Sequence, residues 1–361
     1  MTDPLALGEK LLSLLEESQR SSTYKPALLL AVIDRVQDHL DEDLIPVRAL
    51  AERVIELYWP QTLPYQTTGQ VLRQNNAGGQ AAIITQIARV RDQHGTTARS
   101  LSEGVRRDPS WAALVTRVEG ILAEWPIPRL QRPYDPFLYE FDWTWEDAGR
   151  WSARRYRDSS RAIRLFPGGG DALTSLGPLL RPFITRWWTD KAAQLNPDVE
   201  AARSVIEFEE FLFGRDRVTL DRVAESLLDL QRGDCFYCHT RLAARREIDH
   251  FIPWSYSGDD GLDNLVAACH SCNNRKRASL PGPDHVAALL DRNTTWNGDL
   301  AAIATEKRWP RDRPRSLRIA RTAYLRSPDE RHVWIRTRTE DYYRPLGADR
   351  AQLEQLLTAS Q

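Results

Sequence analysis

Two Cys-x-x-Cys pairs constrain the fold of this chain more than any other feature of its sequence. Cys235 and Cys238 form the first pair, Cys269 and Cys272 form the second, and together they are all the cysteines among the 361 residues. Thiolates two residues apart on a tight turn can both reach one tetrahedral Zn²⁺ at about 2.3 Å. We therefore expect the segment around the two pairs to fold on a structural zinc ion.

Two other uses of the cysteines compete with a zinc site. They could form a pair of disulfides, or they could be unrelated buried thiols. The start of the chain, residues 1–4, lacks the basic and apolar regions of a secretory signal, so we expect a cytoplasmic protein whose thiols stay reduced. This favours zinc. With four thiolates available, we expect the neighbouring His239 and His270 to face solvent rather than the metal.

The residues between and after the cysteine pairs offer a second kind of chemistry. Asp249 and His250 lie between the pairs, and Asn264 and Asn273 follow. A histidine whose pKa is near neutrality can accept a proton at cellular pH, and carboxylate and amide oxygens suit a hard divalent cation. A zinc ribbon alone would need neither a base nor oxygen ligands, so the pattern indicates hydrolysis assisted by a metal.

The order Cys-x-x-Cys, Asp-His, Asn-Leu, Cys-x-x-Cys-Asn and Lys over residues 232–281 resembles the HNH endonucleases, whose core is a ββα-metal finger. The resemblance implies that His250 is the general base and that Asp249 and Asn273 are ligands of a catalytic Mg²⁺ or Mn²⁺. It also implies that Asn264 orders the loop around the catalytic histidine. Some members of the family carry histidine where this chain has Asn273, and the asparagine leaves the nuclease interpretation intact.

Each of these residues also has a purely structural interpretation. His250 could be a core histidine, and Asn264 and Asn273 could simply form turns, as asparagine often does. What favours the catalytic interpretation is that Asp249, His250 and Asn273 occur together in the register of the zinc knuckles.

Cations flank the motif on both sides. Arg245 and Arg246 precede it, and Arg275, Lys276 and Arg277 follow it. Phosphates of a bound nucleic acid must lie beside the catalytic residues, so we predict that these five side chains contact them. The alternative is an ordinary solvated helix face.

A longer basic block follows the motif, although the whole chain has a net charge of -1. Residues 305–326 contain eight Lys or Arg against two Asp or Glu, and the block is expected either to follow a phosphate backbone or to be a solvated surface. Its members include Lys307, Arg308, Arg311, Arg313, Arg315, Arg318 and Arg321.

The rest of the chain predicts an α+β protein that is mainly helical before the motif. Helical hydrophobic stripes lie within residues 29–40, 50–58, 83–90 and 114–122. We predict a helical N-terminal domain (1–130) with a role in target recognition, a middle α/β region (131–225), and a ββα-metal nuclease domain with a zinc site and a basic extension (226–361). The glycine run 168–170 lacks the Gly-Lys-Ser/Thr ending of a phosphate loop, which favours a strand-to-helix turn.

The leading functional hypothesis is a metal-dependent endonuclease of the restriction or anti-phage defence type. Double-stranded DNA is the substrate that the family resemblance favours, and no segment is apolar enough to imply a membrane. A homodimer would explain double-strand cleavage, and a defence-system protein is another candidate partner. The alternative is a catalytically inactive zinc-ribbon protein that binds nucleic acid.

Overall fold

A computed structural model describes most of the chain. The described residues are 4–17, 22–39, 43–65, 69–75, 79–97, 99, 101–131, 135–143, 151–197, 205–213, 217–242, 246–307, 309–337 and 340–359. They divide into two compact units, the first made of Met1–Val36 and Asp41–Gly214 and the second of Gln37–Leu40 and Arg215–Gln361.

The first unit is mostly helical and carries one small sheet. Its helices are α1 (Pro4–Glu17), α2 (Tyr24–Asp38), α3 (Val47–Tyr58), α4 (Ala82–Gln93), α5 (Glu103–Arg107), α6 (Pro109–Glu124), α7 (Ile127–Leu130), α8 (Ala153–Arg157), α9 (Gly169–Leu195) and α10 (Val205–Leu212). Its strands are β1 (Leu44–Pro46), β2 (Tyr139–Phe141) and β3 (Ala162–Leu165), in the antiparallel order β1-β3-β2. Because β1 pairs with β3, the predicted boundary near residue 130 falls inside this unit.

The helices of the first unit bury charge as well as apolar surface. Asp34 on α2 is 1% exposed and accepts hydrogen bonds from Arg181 on α9 and Arg53 on α3. A buried carboxylate is tolerated only when it is paired and hydrogen-bonded, so this carboxylate with two arginine partners fixes three helices against one another.

The predicted helical stripes are confirmed by α2, α3, α4 and α6, whose apolar residues line the core of the first unit. The glycine run is confirmed as a strand-to-helix turn. Gly168 has φ +78°, a left-handed conformation that favours glycine, and α9 begins at the next residue. Strand β2 ends at Phe141, and residues 144–150 lie outside the described residues.

The second unit contains the sequence motif. Its helices are α11 (Arg217–Leu230), α12 (Trp254–Ser257), α13 (His270–Lys276), α14 (Pro283–Thr295), α15 (Asn297–Lys307), α16 (Arg313–Leu325) and α17 (Arg350–Thr358). Its strands are β4 (Arg246–His250), β5 (Leu265–Cys269), β6 (Leu280–Pro281), β7 (His332–Arg336) and β8 (Asp341–Pro345). β4 pairs with β5 antiparallel, and β6, β7 and β8 form a second sheet in that order.

The hairpin β4–β5 followed by α13 is the predicted ββα arrangement. His250 pairs with Leu265 at the end of the hairpin that the loop 251–264 closes, and Arg246 pairs with Cys269 at the open end. The core beside it contains Phe251, Tyr324 and Trp334, which come from the motif, from α16 and from β7. The expected fold class, helical regions followed by a ββα unit, is thus confirmed.

Within the described residues, no helix combines the length and the apolar character that crossing a bilayer requires.

The buried His285 on α14 should make the stability of the second unit depend on pH. It packs against Tyr237 and Trp334, and burial lowers its pKa from the usual 6.5 to about 4. The unfolded chain therefore binds this proton first as the pH falls, and the free energy of unfolding should fall between about pH 6.5 and about pH 4. Urea unfolding at pH 7 and pH 5 should show a smaller loss in His285→Phe than in the wild type. The exposed His332→Phe is the matched control; an unchanged pH dependence in His285→Phe would contradict this assignment.

Candidate functional site

The four cysteines meet at one point. Their sulfur atoms all lie within 4.8 Å of one another, and the Sγ atoms of Cys238 and Cys269 are 3.9 Å apart. Tetrahedral bonds of about 2.3 Å would separate two sulfurs by about 3.8 Å, so the cluster fits a zinc site. The cysteines are free thiols, which argues against the disulfide alternative.

The backbone around the cysteines is shaped for a metal knuckle. His239 has φ +56°, which turns the chain back after Cys238. The backbone N–H of Cys269 donates to Cys235 Sγ at 3.3 Å, and a hydrogen bond from Cys272 lowers the pKa of Cys235. His239 and His270 are exposed, as predicted.

Asp249 lies on β4 and is nearly buried. Tyr237 Oη donates to its Oδ2 at 2.6 Å, and Lys276 Nζ lies 3.0 Å from the same oxygen. Burial, then the charge of Asp249, raises the pKa of Tyr237 well above its usual value, so the phenol remains a donor. Burial lowers the pKa of Lys276, and Asp249 opposes that change by stabilising the ammonium ion.

His250 ends β4 beside this ion pair. Its Nε2 lies 3.0 Å from Asp260 Oδ1, and its backbone oxygen accepts a hydrogen bond of 2.8 Å from Lys276 Nζ. Asp260 is absent from the predicted site residues. The signal that could have pointed to it is the acidic pair Asp259-Asp260 between two glycines, four residues before Asn264.

Asn264 is buried and clamps the loop that follows the histidine. Its Oδ1 accepts from the backbone N–H of Ile252 at 2.8 Å, and its Nδ2 donates to the oxygens of Ile252 and Asp259 at 3.0 and 3.1 Å. These contacts fit the loop-ordering role that the resemblance implies.

Two arginines that follow the motif in the sequence hold residues 262–265 of the same loop. The buried Arg292 donates to the backbone oxygens of Leu262, Asp263 and Leu265. Arg311 donates two hydrogen bonds to the carboxylate of Asp263 in a bidentate arrangement, at 2.9 and 3.1 Å. The predicted phosphate track is therefore wrong at Arg311, because its guanidinium is already held by a buried carboxylate.

Asn273 lies on α13, opposite β4. Its Nδ2 donates to Glu247 Oε2 at 2.5 Å, and the other oxygen of Glu247 lies 2.6 Å from His270 Nδ1. Because a carboxylate only accepts hydrogen bonds, this contact fixes the orientation of the Asn273 amide.

The flanking cations differ in how they are placed. Arg277 is exposed, Arg275 is exposed and paired with Asp341, and Arg246 is half-buried near Glu225. Lys276 is fully buried, so the prediction that it contacts phosphate is wrong: its ammonium holds Asp249 and the backbone of the histidine instead. Arg245 and Arg308 lie outside the described residues.

The arrangement provides two chemically different kinds of metal-binding group. Among the described residues, the four cysteines are the one cluster of three or more His, Cys, Asp or Glu side chains that could hold a metal. The other groups are oxygen donors, since the carboxylate of Asp249 and the amide oxygen of Asn273 are of the type that suits Mg²⁺ or Mn²⁺ rather than a soft cation. Beside them stands a histidine of β4.

Two family models match the chain. The HNH endonuclease model matches residues 235–282, and the model of a domain of unknown function (DUF8808) matches residues 4–206, which is more than half of the chain. The first match confirms the predicted HNH endonuclease domain. No curated protein and no solved structure gives a significant match.

Replacing Lys276 with methionine should destabilise the second unit strongly. The change leaves Asp249 buried without its cation and removes the hydrogen bond to the His250 backbone. Losing one partner of a buried pair costs about 3 kcal/mol in the free energy of unfolding, which urea titration would measure. Arg277→Met, an exposed change one residue away, should alter it by less than about 0.5 kcal/mol. Equal effects of the two changes would show that the ion pair does not stabilise the fold.

Proposed function

Since the chain belongs to the family of the domain of unknown function (DUF8808) and contains an HNH endonuclease domain, we propose that it is a metal-dependent DNA endonuclease. The observation that carries the proposal is that the β4–β5–α13 unit holds all four motif residues. His250 and Asp249 end one strand, Asn273 lies on the facing helix, and Asn264 fixes the loop after the histidine. A protein that only binds nucleic acid gains nothing from this combination.

In the proposed reaction, His250 takes a proton from water as the water oxygen attacks the phosphorus atom. The bond between phosphorus and the leaving oxygen breaks, and that oxygen is then protonated. Asp260, whose Oδ1 lies 3.0 Å from His250 Nε2, would hold the imidazole in one orientation. Asp249 and Asn273 would hold Mg²⁺ or Mn²⁺, which when bound supplies positive charge to the phosphate and the leaving oxygen.

Double-stranded DNA is the substrate that we propose on the family resemblance. Of the five flanking cations predicted to contact phosphates, Arg246, Arg275 and Arg277 have exposed or half-exposed side chains, and they are proposed to make these contacts together with Arg245. Structural Zn²⁺ is proposed for the four cysteines.

A restriction or anti-phage defence role is the biological proposal, with the first unit selecting the target. Its support is the presence of a separate folded unit before the nuclease domain. The test is phage plating on cells that produce the wild-type protein or His250→Ala. Protection by the wild type alone would support the role; equal plating on both would count against it.

His250→Ala should abolish cleavage, because the activated water loses its proton acceptor. Plasmid cleavage with Mg²⁺ or Mn²⁺, on modified and unmodified DNA, would show at least a 100-fold fall in rate. His332→Ala, which removes an exposed histidine of the same unit, should cleave like the wild type.

Two outcomes would contradict the nuclease proposal. Equal cleavage by wild type and His250→Ala would exclude the histidine as the base. Binding of DNA without cleavage, under every metal and substrate condition, would favour the alternative of a catalytically inactive zinc-ribbon protein.

Changing Cys235 or Cys272 to serine should remove zinc and unfold the site rather than only slow the reaction. Three of the cysteines belong to the apolar core of the second unit, and a metal that joins distant segments contributes directly to folding. Metal analysis should find one zinc per wild-type chain and per His250→Ala chain, and less in the serine variants, with a lowered melting temperature. A serine variant that stays folded and active without zinc would overturn this role.

A further inference from the structure

The two proposed ligands of the catalytic cation share a feature that the reaction does not require by itself. Each has one of its polar atoms bound by another side chain. Oδ2 of Asp249 is bonded by both Tyr237 and Lys276, and Nδ2 of Asn273 is bonded by Glu247. Within the part of the chain that the structure describes, neither Oδ1 of Asp249 nor Oδ1 of Asn273 has a hydrogen bond.

From these contacts we propose that Tyr237 and Glu247 are positioning residues for the catalytic cation. Tyr237 fixes the carboxylate of Asp249 and Glu247 fixes the amide of Asn273, so that the Oδ1 atom of each remains available to the metal. The inference rests on the proposed nuclease function and adds two residues that act through the ligands rather than on the substrate.

Tyr237 couples the zinc knuckle to the catalytic ligand. It lies between Cys235 and Cys238 in the sequence, it is 1% exposed, and its ring packs against Trp334 and Phe251. The ring can therefore point in only one direction, and its hydroxyl reaches Asp249 Oδ2 at 2.6 Å. The cysteine cluster that fixes the conformation of this knuckle therefore also fixes the orientation of the Asp249 carboxylate.

Lys276 alone would not fix that rotation as well. An ammonium group on a flexible stem can follow either carboxylate oxygen, whereas a phenol on a packed ring donates along one direction. The two donors converge on the same oxygen, at 2.6 and 3.0 Å, and this removes the equivalence of the two carboxylate oxygens.

Glu247 orients the ligand on the helix, Asn273, as Tyr237 orients Asp249. It lies two residues before Asp249 on β4, so the two side chains share one face of the strand. Nδ2 of Asn273 on α13 donates to Oε2 of Glu247 at 2.5 Å. Nδ1 of His270, one turn earlier on α13, lies 2.6 Å from Oε1 of Glu247. An asparagine can bind a cation only through its oxygen, and the bond to Glu247 excludes the opposite orientation of the amide.

The readout that separates positioning from a structural role is the affinity for Mn²⁺, measured by titration into the zinc-loaded chain in the absence of DNA. Side chains that orient metal ligands typically change metal affinity by about 10- to 100-fold when they are removed. The Asp249→Ala variant gives the background affinity for Mn²⁺ that remains when the proposed cation site is removed.

Tyr237→Phe should weaken Mn²⁺ binding by about 10-fold or more while zinc content stays at one per chain. Its matched control is Tyr324→Phe, which removes the hydroxyl of another buried tyrosine in the same core, one that donates to Pro281 at 2.6 Å. The control should be destabilised to a similar degree and should bind Mn²⁺ like the wild type.

Glu247→Ala should weaken Mn²⁺ binding by about 10-fold, and Glu247→Gln should recover most of it because the glutamine oxygen still accepts from Asn273. Glu225→Ala is the control, since that exposed carboxylate lies 3.6 Å from Arg246 of the same strand without contacting a proposed ligand.

The outcomes distinguish this inference from the function on which it rests. If the wild type binds no Mn²⁺, or binds it no better than Asp249→Ala, the proposed catalytic cation site is wrong and the positioning roles fail with it. If Asp249→Ala weakens binding but Tyr237→Phe matches Tyr324→Phe and Glu247→Ala matches Glu225→Ala, only the positioning roles are wrong.

Discussion

The buried ion pair between Asp249 and Lys276 is the interaction on which the second unit depends. It joins the end of β4 to the end of α13, and the same ammonium group holds the backbone oxygen of His250. A charge in such surroundings is stable only with a closely placed partner. The strand and the helix are thus kept in one relative position, and the histidine and Asn273 are positioned with them.

The fold was largely predictable because its signals are local. Helical stripes gave α2, α3, α4 and α6, and the glycine run marked the turn into α9. Cysteine spacing and the Asp-His step located the ββα unit to within a few residues. The joining of β1 to β3, more than a hundred residues apart, was not predictable, since short strands carry little information about their partners.

The candidate site was predictable in its motif residues and not in their surroundings. Spacing identifies Asp249, His250, Asn264 and Asn273, but charge in a sequence does not reveal whether a side chain is exposed or buried. The sequence therefore predicts a phosphate contact at Lys276, although the fold buries this side chain completely. Asp260 is not predictable for the related reason that its contact with the histidine spans a loop.

The support of the loop by Arg292 and Arg311 bears on where the nuclease domain ends. Both arginines lie beyond residue 282, where the family match stops, yet they hold the oxygens of residues 262–265 and the carboxylate of Asp263. A segment cut at that limit would carry every motif residue and would leave these buried acceptors without donors. The smallest transplantable nuclease module of this protein therefore extends at least through β7, because Trp334 of that strand packs against Tyr237 of the zinc knuckle, and fusions or chimaeras should be joined beyond that point.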